Sequence, residues 1–233
     1  MNVCVLVPAF NVASAIAPLV RAVRSVGLPV CVVDDGSSDG SGALAAEAGA
    51  HVITHVLNQG KGRSLVDGFR YLIDQGYEAV ITLDGDGQHD PADLPRFLQA
   101  AELGRADLVV GNRMGETARM PLVRRLTNQL MSALLSRLCG VRIPDSQCGY
   151  RLIRCRLLRR IELSSSGYDM ESEMLVRAAW SRAAITSVPI RTIYQQQTSH
   201  IRPARDTIRF VQLLVRMQRL RRQVRGDGWD RSG

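Results

Sequence analysis

Short apolar runs that end in carboxylates constrain this chain most. VCVLV (3–7), PVCVV (29–33), EAVITL (78–83) and DLVVG (107–111) are each long enough for one strand and carry almost no polar residue. Strands of that kind are buried on both faces. Between them lie helical segments near 14–26, 40–49, 61–75 and 91–103, with a further short strand at 51–53. Pro91 fits the first turn of its helix. This alternation predicts an α/β fold, a mostly parallel central sheet flanked by helices. In such sheets ligands bind beyond the carboxyl ends of the strands. The polar clusters fall there: Pro8 to Asn11, Asp34 to Asp39, Asp84 to His89, and Gly111 to Arg113.

The regularity weakens after residue 115. A helix is expected over 121–139, then the loop IPDSQCGYR and a short strand. Residues 169–182 read as a helix, AITSVPIRTIY (184–194) as a strand, and a last helix starts near 204. No repeat or linker divides the chain. The expectation is one domain over 1–203 with a C-terminal extension over 204–233.

The apolar fraction of 45% supplies a core for such a domain. Cys4 and Cys31 lie inside apolar strands and read as core thiols in a reducing cytoplasm. The apolar N-terminus lacks a basic leader and reads as a first strand, not a signal peptide. No run reaches the roughly 18 apolar residues of a membrane span. The net charge of +8 is concentrated. Residues 202–225 hold eight Arg against Asp206 alone, and the rest of the chain is near neutral.

LDGDGQHDP (83–91) carries the most chemistry. In an extended loop, alternate residues point the same way. Asp84, Asp86 and Gln88 would then offer oxygens to one hard divalent cation, Mg²⁺ or Mn²⁺. A calcium-binding EF-hand loop also starts D-x-D, but it needs Gly and Glu where this chain has His89 and Pro95. The plain alternative is an Asp-rich turn that caps the next helix. Placement at a buried strand end, facing a second acidic cluster, favours the cation.

That second cluster is Asp34-Asp35-Gly36-Ser37-Ser38-Asp39. Its carboxylates can accept hydrogen bonds from a nucleobase or ribose, while Ser38 or Asp39 caps the following helix. Gly60-Lys61-Gly62 opens a helix, and helix N-termini favour anions. The sequence GxxxxGK[ST] is missing, so this is not a P-loop.

VPAFN, VVDDGSSDGS, NQGKG and LDGDGQHDP, in that order, resemble the GT-A glycosyltransferases of family two. The DxDxQH motif is similar to that of the dolichol-phosphate mannosyltransferase-like branch. The resemblance extends through GNR (111–113), DSQCGYRL (145–152), DMESEMLVRA (169–178) and SVPI (187–190) to SHIRP (199–203). It implies a GT-A nucleotide-diphospho-sugar transferase fold, and transfer of a sugar from a nucleotide-sugar donor with inversion.

On that resemblance Pro8, Ala9 and Asn11 form the first donor-binding loop. Asp35, beside Asp34, meets the base or ribose, and Lys61 and Asp84 join the donor site. Asp84, Asp86 and Gln88 hold the cation against the diphosphate. Arg113 and Arg151 match basic positions near phosphates and acceptor, and Asp145 opens the acceptor-side motif. His200 stands where lipid-phosphate enzymes commonly carry Lys, with Arg202 nearby. Glu171 and Glu173 are candidate general bases if the acceptor is a hydroxyl; otherwise they are solvent-facing helix charges.

The segment 204–233 reads as a basic amphipathic helix and tail. It suits an anionic membrane surface, or a helix packed on the domain with a solvated Arg face. It lacks the interleaved aromatics of a nucleic-acid surface. The expectation is a cytoplasmic, metal-dependent, inverting glycosyltransferase, peripheral on the inner face of the membrane, with a polyprenyl phosphate or similar lipid acceptor. The alternatives are a soluble transferase acting on a glycan or small-molecule hydroxyl, a sugar-phosphate nucleotidyltransferase, and a regulatory nucleotide-sugar-binding module. PAFNVAS after the first strand is unlike the Gly-rich basic loop of nucleotidyltransferases.

Overall fold

The computed structural model describes residues 1–115, 120, 122–164, 167, 169–191, 193 and 215. In chain order the elements are β1 (Val3–Ala9), α1 (Ala13–Ser25), β2 (Val30–Asp34), α2 (Ser41–Glu47), β3 (His51–Thr54), α3 (Lys61–Asp74) and β4 (Ala79–Thr82). There follow a 3-10 turn (Pro91–Asp93), α4 (Leu94–Leu103), β5 (Leu108–Asn112), α5 (Leu122–Cys139), β6 (Arg151–Arg154), α6 (Cys155–Leu158), α7 (Met170–Trp180) and β7 (Ile185–Pro189). Among the described residues they form one seven-stranded sheet in the order β3-β2-β1-β4-β6-β5-β7.

The expected parallel sheet holds for every pairing except those of β6. That strand runs antiparallel to both β4 and β5, with Ile81 opposite Leu152 and Leu108 opposite Ile153. β1, β2 and β4 are buried almost throughout, as their sequences require. Burying a Val or Leu side chain contributes about 1.5–3 kcal/mol, so these central strands dominate the core. β3 does not fit the fully apolar pattern, because it is the edge strand and its His51 and Thr54 are exposed. β7 forms the other edge and stops at Pro189, short of the expected 194, in keeping with proline's lack of a ladder donor. The four-residue α6 has no signal in the sequence.

The helix periods are borne out to within a residue or two for α1, α2, α3, α5 and α7. Pro91 starts a 3-10 turn before α4, with Asp90 as its cap. Helix α3 comes unusually close to the sheet at Gly68, where any Cβ would collide with the Leu6 side chain. This seats the first residue of α3, Lys61, over the ends of β1 and β4. Those two strands are adjacent, and the chain leaves them in opposite directions across the sheet, at the switch point where α/β sheets open a crevice. Cys4 and Cys31 are buried in β1 and β2, and burial pushes both thiols up to about 12, as expected for inert core thiols.

No helix among the described residues is long and apolar enough to cross a membrane. The segment 204–233, residue 215 apart, and the residues His200 and Arg202 lie outside the described residues.

Candidate active site

The ends of β1 and β2 are stitched together. Asp35 N donates to Ala9 O at 2.8 Å, Asn11 N to Ser37 Oγ at 3.0 Å, and Ser38 N to Asn11 Oδ1 at 2.9 Å. Asn11 has a φ of 52°, a left-handed conformation that Asn tolerates better than most residues. Pro8 O lies beneath Gly85 of the next loop, 3.1 Å from where a Cβ would stand. Asp39 caps two helices. Its Oδ2 accepts from Ala13 N at 2.9 Å, and its Oδ1 accepts from Ser41 N at 3.0 Å. Ser38 bonds to Asn11 and not to α2.

Asp34 and Asp35 are both buried. Asp34 Oδ1 accepts from Ser37 N at 3.1 Å, shaping the turn. Asp35 organises the next stretch of chain. His55 Nδ1 lies 2.7 Å from its Oδ1, Gln59 N donates to the same oxygen at 2.9 Å, and Gly60 N donates to Oδ2 at 2.8 Å. The loop before α3 therefore hangs from Asp35, and Lys61 follows directly.

Lys61 is the only lysine in the chain. Its Nζ lies 2.6 Å from Asp84 Oδ1 and 2.7 Å from Glu171 Oε1. Burial opposes its charge, but the two carboxylates outweigh burial and hold the ammonium above its ordinary range. Burial likewise pushes the Asp84 carboxyl up. Lys61 and His89 outweigh that and hold it well below the usual carboxylate range. Asp86 is pushed up, first by burial and then by the charge of Asp84. The two aspartates thus share one electrostatic site.

The loop that carries them is not extended. Residues 85–86 form a turn, Gly87 has a φ of 71°, and Gln88 N donates to Asp86 Oδ1 at 2.9 Å. The alternation argument for Asp84, Asp86 and Gln88 is therefore corrected: a turn, not a strand-like run, brings this loop to the site. His89 is buried against Tyr150, with ring centroids 5.3 Å apart. Its Nε2 lies 3.5 Å from Asp84 Oδ2, and its Nδ1 has no hydrogen-bond partner among the described residues.

The second half of the chain closes the site. Thr82 Oγ1 donates to Gly149 O at 2.6 Å. A Cβ on Gly149 would stand 2.8 Å from both oxygens of Asp84 and 3.0 Å from Glu171 Oε1. A hydrogen at that position is what lets the two carboxylates meet over Lys61.

Arg113 and Asp145 form a buried, bidentate pair, with Nε to Oδ2 at 2.7 Å and Nη2 to Oδ1 at 2.9 Å. Asn128 of α5 adds a donor to Asp145 Oδ1 at 2.8 Å. Burial pushes Asp145 up, but Arg113 outweighs it and holds the carboxyl below its ordinary value.

Arg151 has a different place from the one the motif suggests. Its guanidinium is 1% exposed and donates to the carbonyls of Cys148, Ser146 and Glu171. It ties the 146–149 loop to α7 and does not face the cleft as a phosphate ligand.

Neither reading of the glutamates survives unchanged. Residues 170–176 of α7 are buried, so Glu171 and Glu173 are not solvent-facing charges. Glu171 joins Lys61. Glu173 points elsewhere, accepting from Ser164 N at 3.1 Å, Ser164 Oγ at 2.8 Å and Arg177 Nε at 2.7 Å. Among the described residues its carboxylate bonds to Ser164 and Arg177, away from Lys61.

Sequence reasoning missed Gly149, His55 and Asn128 as builders of the site. Gly149 alone left a signal, a glycine inside the DSQCGYRL motif.

Among the described residues no group of three or more His, Cys, Asp or Glu stands ready around a metal position. The chemistry still suits a hard cation. Asp84 and Asp86 are oxygen donors in one site, and a positive charge, the Lys61 ammonium, already sits on Asp84 Oδ1.

Comparison with known proteins agrees with this fold. The model of glycosyl transferase family 2 matches residues 4–162. An undecaprenyl-phosphate mannosyltransferase from Micrococcus luteus is 31% identical over 210 residues, covering 84% of this chain and 85% of that one. A polyprenol monophosphomannose synthase from Mycolicibacterium smegmatis is 35% identical over 200 residues, covering 80% and 75%. The crystal structure of glucosyl-3-phosphoglycerate synthase from Mycobacterium tuberculosis, in complex with Mn²⁺, UDP-glucose and phosphoglyceric acid, shares the fold. Its TM-score is 0.69 at 21% identity, covering 84% of this chain and 72% of that one. The chain belongs to glycosyl transferase family 2, in its dolichol-phosphate mannosyltransferase-like branch.

Proposed function

We propose that the protein is a metal-dependent, inverting glycosyltransferase that moves a sugar from a nucleotide-sugar donor to a polyprenyl phosphate at a membrane surface. The observation that carries this is the Asp84–Lys61–Glu171 cluster, with Asp86 beside it, at the switch point between β1 and β4. A crevice there suits a nucleotide. The relatives named for undecaprenyl phosphate and polyprenol support the lipid acceptor. The synthase sharing the fold, crystallised with Mn²⁺ and UDP-glucose, supports the donor and the metal.

In this reading the loop held by Asp35 and Asn11 receives the nucleoside. Asp84, Asp86 and Gln88 would hold the cation, which when bound supplies positive charge to the donor diphosphate. Lys61 neutralises Asp84, and its flexible stem can turn the ammonium toward the donor phosphates. An acceptor phosphate oxygen attacks the anomeric carbon from the face opposite the leaving diphosphate. The bond to the donor phosphate breaks, and its electron pair leaves with the nucleoside diphosphate.

An acceptor phosphate is already ionised and needs no general base, whereas a glycan hydroxyl does. Glu173 is committed to Ser164 and Arg177, and Glu171 to Lys61, which favours the phosphate. The test is a donor screen with purified protein and Mn²⁺ or Mg²⁺, following nucleoside diphosphate release with and without polyprenyl phosphate. Release that depends on the lipid phosphate supports the reading. Release stimulated only by a hydroxyl acceptor, or tight donor binding with no turnover, overturns it.

A further inference from the structure

The loop between β3 and α3 is not held by apolar burial. Val56 is 94% exposed and Leu57 75%, and Asn58 and Gln59 are exposed beside them. Polar contacts set its path. It passes close to Gly36, where a Cβ would stand 2.9 Å from Asn58 N. At its far end Gln59 N and Gly60 N donate to the two oxygens of Asp35. The one buried residue at its near end is His55.

His55 is fixed at both backbone and ring. Its N donates to Asp34 O at 2.9 Å, which continues the pairing of β2 with β3. Its ring lies between two carboxylates from different elements. Nδ1 is 2.7 Å from Asp35 Oδ1 at the end of β2, and Nε2 is 3.4 Å from Asp67 Oδ2 on α3. A carboxylate only accepts, so the nitrogen 2.7 Å from Asp35 carries a hydrogen. Arg63 Nε in turn lies 2.7 Å from Asp67 Oδ2, and Arg70 Nη1 3.7 Å from Asp67 Oδ1. A chain of charge thus runs from exposed arginines on α3, through a buried imidazole, to a buried aspartate. Holding the loop requires only the contact to Asp35. The carboxylate on the far side of the ring polarises it, and polarised chains strengthen each link.

The acceptor capacity of Asp35 is nearly used up. An ionised carboxylate has about four lone-pair sites. Among the described residues, Oδ1 serves His55 and Gln59, and Oδ2 serves Gly60. The remaining site is on Oδ2. A nucleoside fills such a site with a base N–H or a ribose hydroxyl.

We propose that His55, backed by Asp67, is a positioning residue that orients Asp35 so that its Oδ2 accepts one hydrogen from the donor nucleoside. The proposal rests on the reading that the donor nucleoside meets this loop, and it adds what sets the affinity there. His55 acts through Asp35 and not on the reacting atoms.

The test uses the full chain as His55→Ala, His55→Asn, His55→Gln and Asp67→Asn. Binding of UDP, GDP, CDP and ADP is measured by calorimetry with Mg²⁺ present, and melting temperatures are taken in parallel. His55→Ala is expected to weaken the best-bound nucleotide about tenfold, the size of one hydrogen bond to a charged group. Asn sets its amide nitrogen where Nδ1 stands, so His55→Asn should recover most of that loss. Gln sets its amide nitrogen where Nε2 stands and should recover little. Asp67→Asn, at the outer end of the chain of charge, should weaken binding about threefold. In transfer assays the donor KM should follow these changes, with kcat held within about twofold.

Unchanged nucleotide affinity in His55→Ala overturns the inference while leaving the transferase reading intact. So does equal affinity in the Asn and Gln variants, which would make His55 a structural clip for the loop. If His55→Ala does not fold, Asp67→Asn and the Asn and Gln pair decide by the same readings. Failure of the wild-type chain to bind any of the four nucleotides overturns the donor reading, and this inference with it.

Discussion

Lys61 Nζ stands 2.6 Å from Asp84 Oδ1, and Glu171 holds the same ammonium from the other side at 2.7 Å. A cation is thus built into the carboxylate site by the chain itself. Removing it exposes Asp84 to Glu171 and Asp86 with nothing between them. Lys61→Gln is expected to tighten Mn²⁺ binding by the nucleotide-free protein, because a competing positive charge is gone. The same variant is expected to lose about a hundredfold in kcat/KM, roughly 2.7 kcal/mol of transition-state stabilisation. Calorimetry and steady-state kinetics on one preparation check both signs.

The single lysine also makes a chemical probe. Apart from the N-terminal amine, an amine-directed reagent can label only Lys61. Its raised pKa keeps it protonated, so labelling should be slow at neutral pH and slower still with nucleotide bound. Peptide mass spectrometry reads the outcome. Fast labelling, insensitive to nucleotide, would remove Lys61 from the cleft.

Gly149→Ala places a methyl group 2.8 Å from both Asp84 oxygens. The carboxylate must shift, and the Lys61 bridge opens with it. Transfer should fall at least tenfold, about 1.4 kcal/mol or more. Overpacking at one methyl costs stability on the order of 1–3 kcal/mol. A variant with full activity would show that the approach of Asp84 and Glu171 is not needed for the reaction.

Asp86→Ala removes one carboxylate from the proposed cation site and leaves the core untouched. Transfer should be abolished with the melting temperature nearly unchanged. Chelation of wild-type protein with EDTA should give the same loss, reversed by Mn²⁺ or Mg²⁺. Full turnover after chelation would end the metal assignment. Asp35→Ala should mainly raise KM, since it loosens the loop at Gln59 and Gly60 that the donor is proposed to meet.

Arg113 and Asp145 supply the pH prediction. The folded carboxyl is held below its ordinary value. Its stabilisation is therefore complete above the unfolded value of about 3.9 and is lost as pH falls through the lower, folded value. Asp145→Asn leaves Arg113 buried without its counter-charge, at a cost of about 3–5 kcal/mol near neutrality. The gap between wild type and variant should narrow as pH drops below about 4. Denaturant melts across that range measure it.

The sheet was legible because β1, β2, β4 and β5 are short, apolar and followed by polar clusters. β6 was not, because its direction depends on pairing with β4 and β5, which RLIR alone does not reveal. The residues of the site were legible as motifs, but their partnerships were not. Lys61 and Glu171 are 110 positions apart, and only the packing of α7 on the strand ends brings them together. Arg151 misled for a related reason. An arginine next to a phosphate-site motif resembles a phosphate ligand until its three carbonyl partners are known. Glu171 and Glu173 are two positions apart on one helix, so one faces the cleft and the other does not, and composition cannot tell which.

The central claim is transfer of a sugar to a lipid phosphate. The direct measurement offers purified protein a panel of nucleotide sugars, each with the sugar radiolabelled, plus polyprenyl phosphate and Mn²⁺ or Mg²⁺, and extracts with organic solvent. The account predicts that for one donor the label moves into the organic phase as a polyprenyl-phosphate sugar, with one nucleoside diphosphate released per sugar transferred. Asp86→Ala should abolish that movement. Label that stays in the aqueous phase for every donor, or that moves only onto a hydroxyl acceptor, would contradict it.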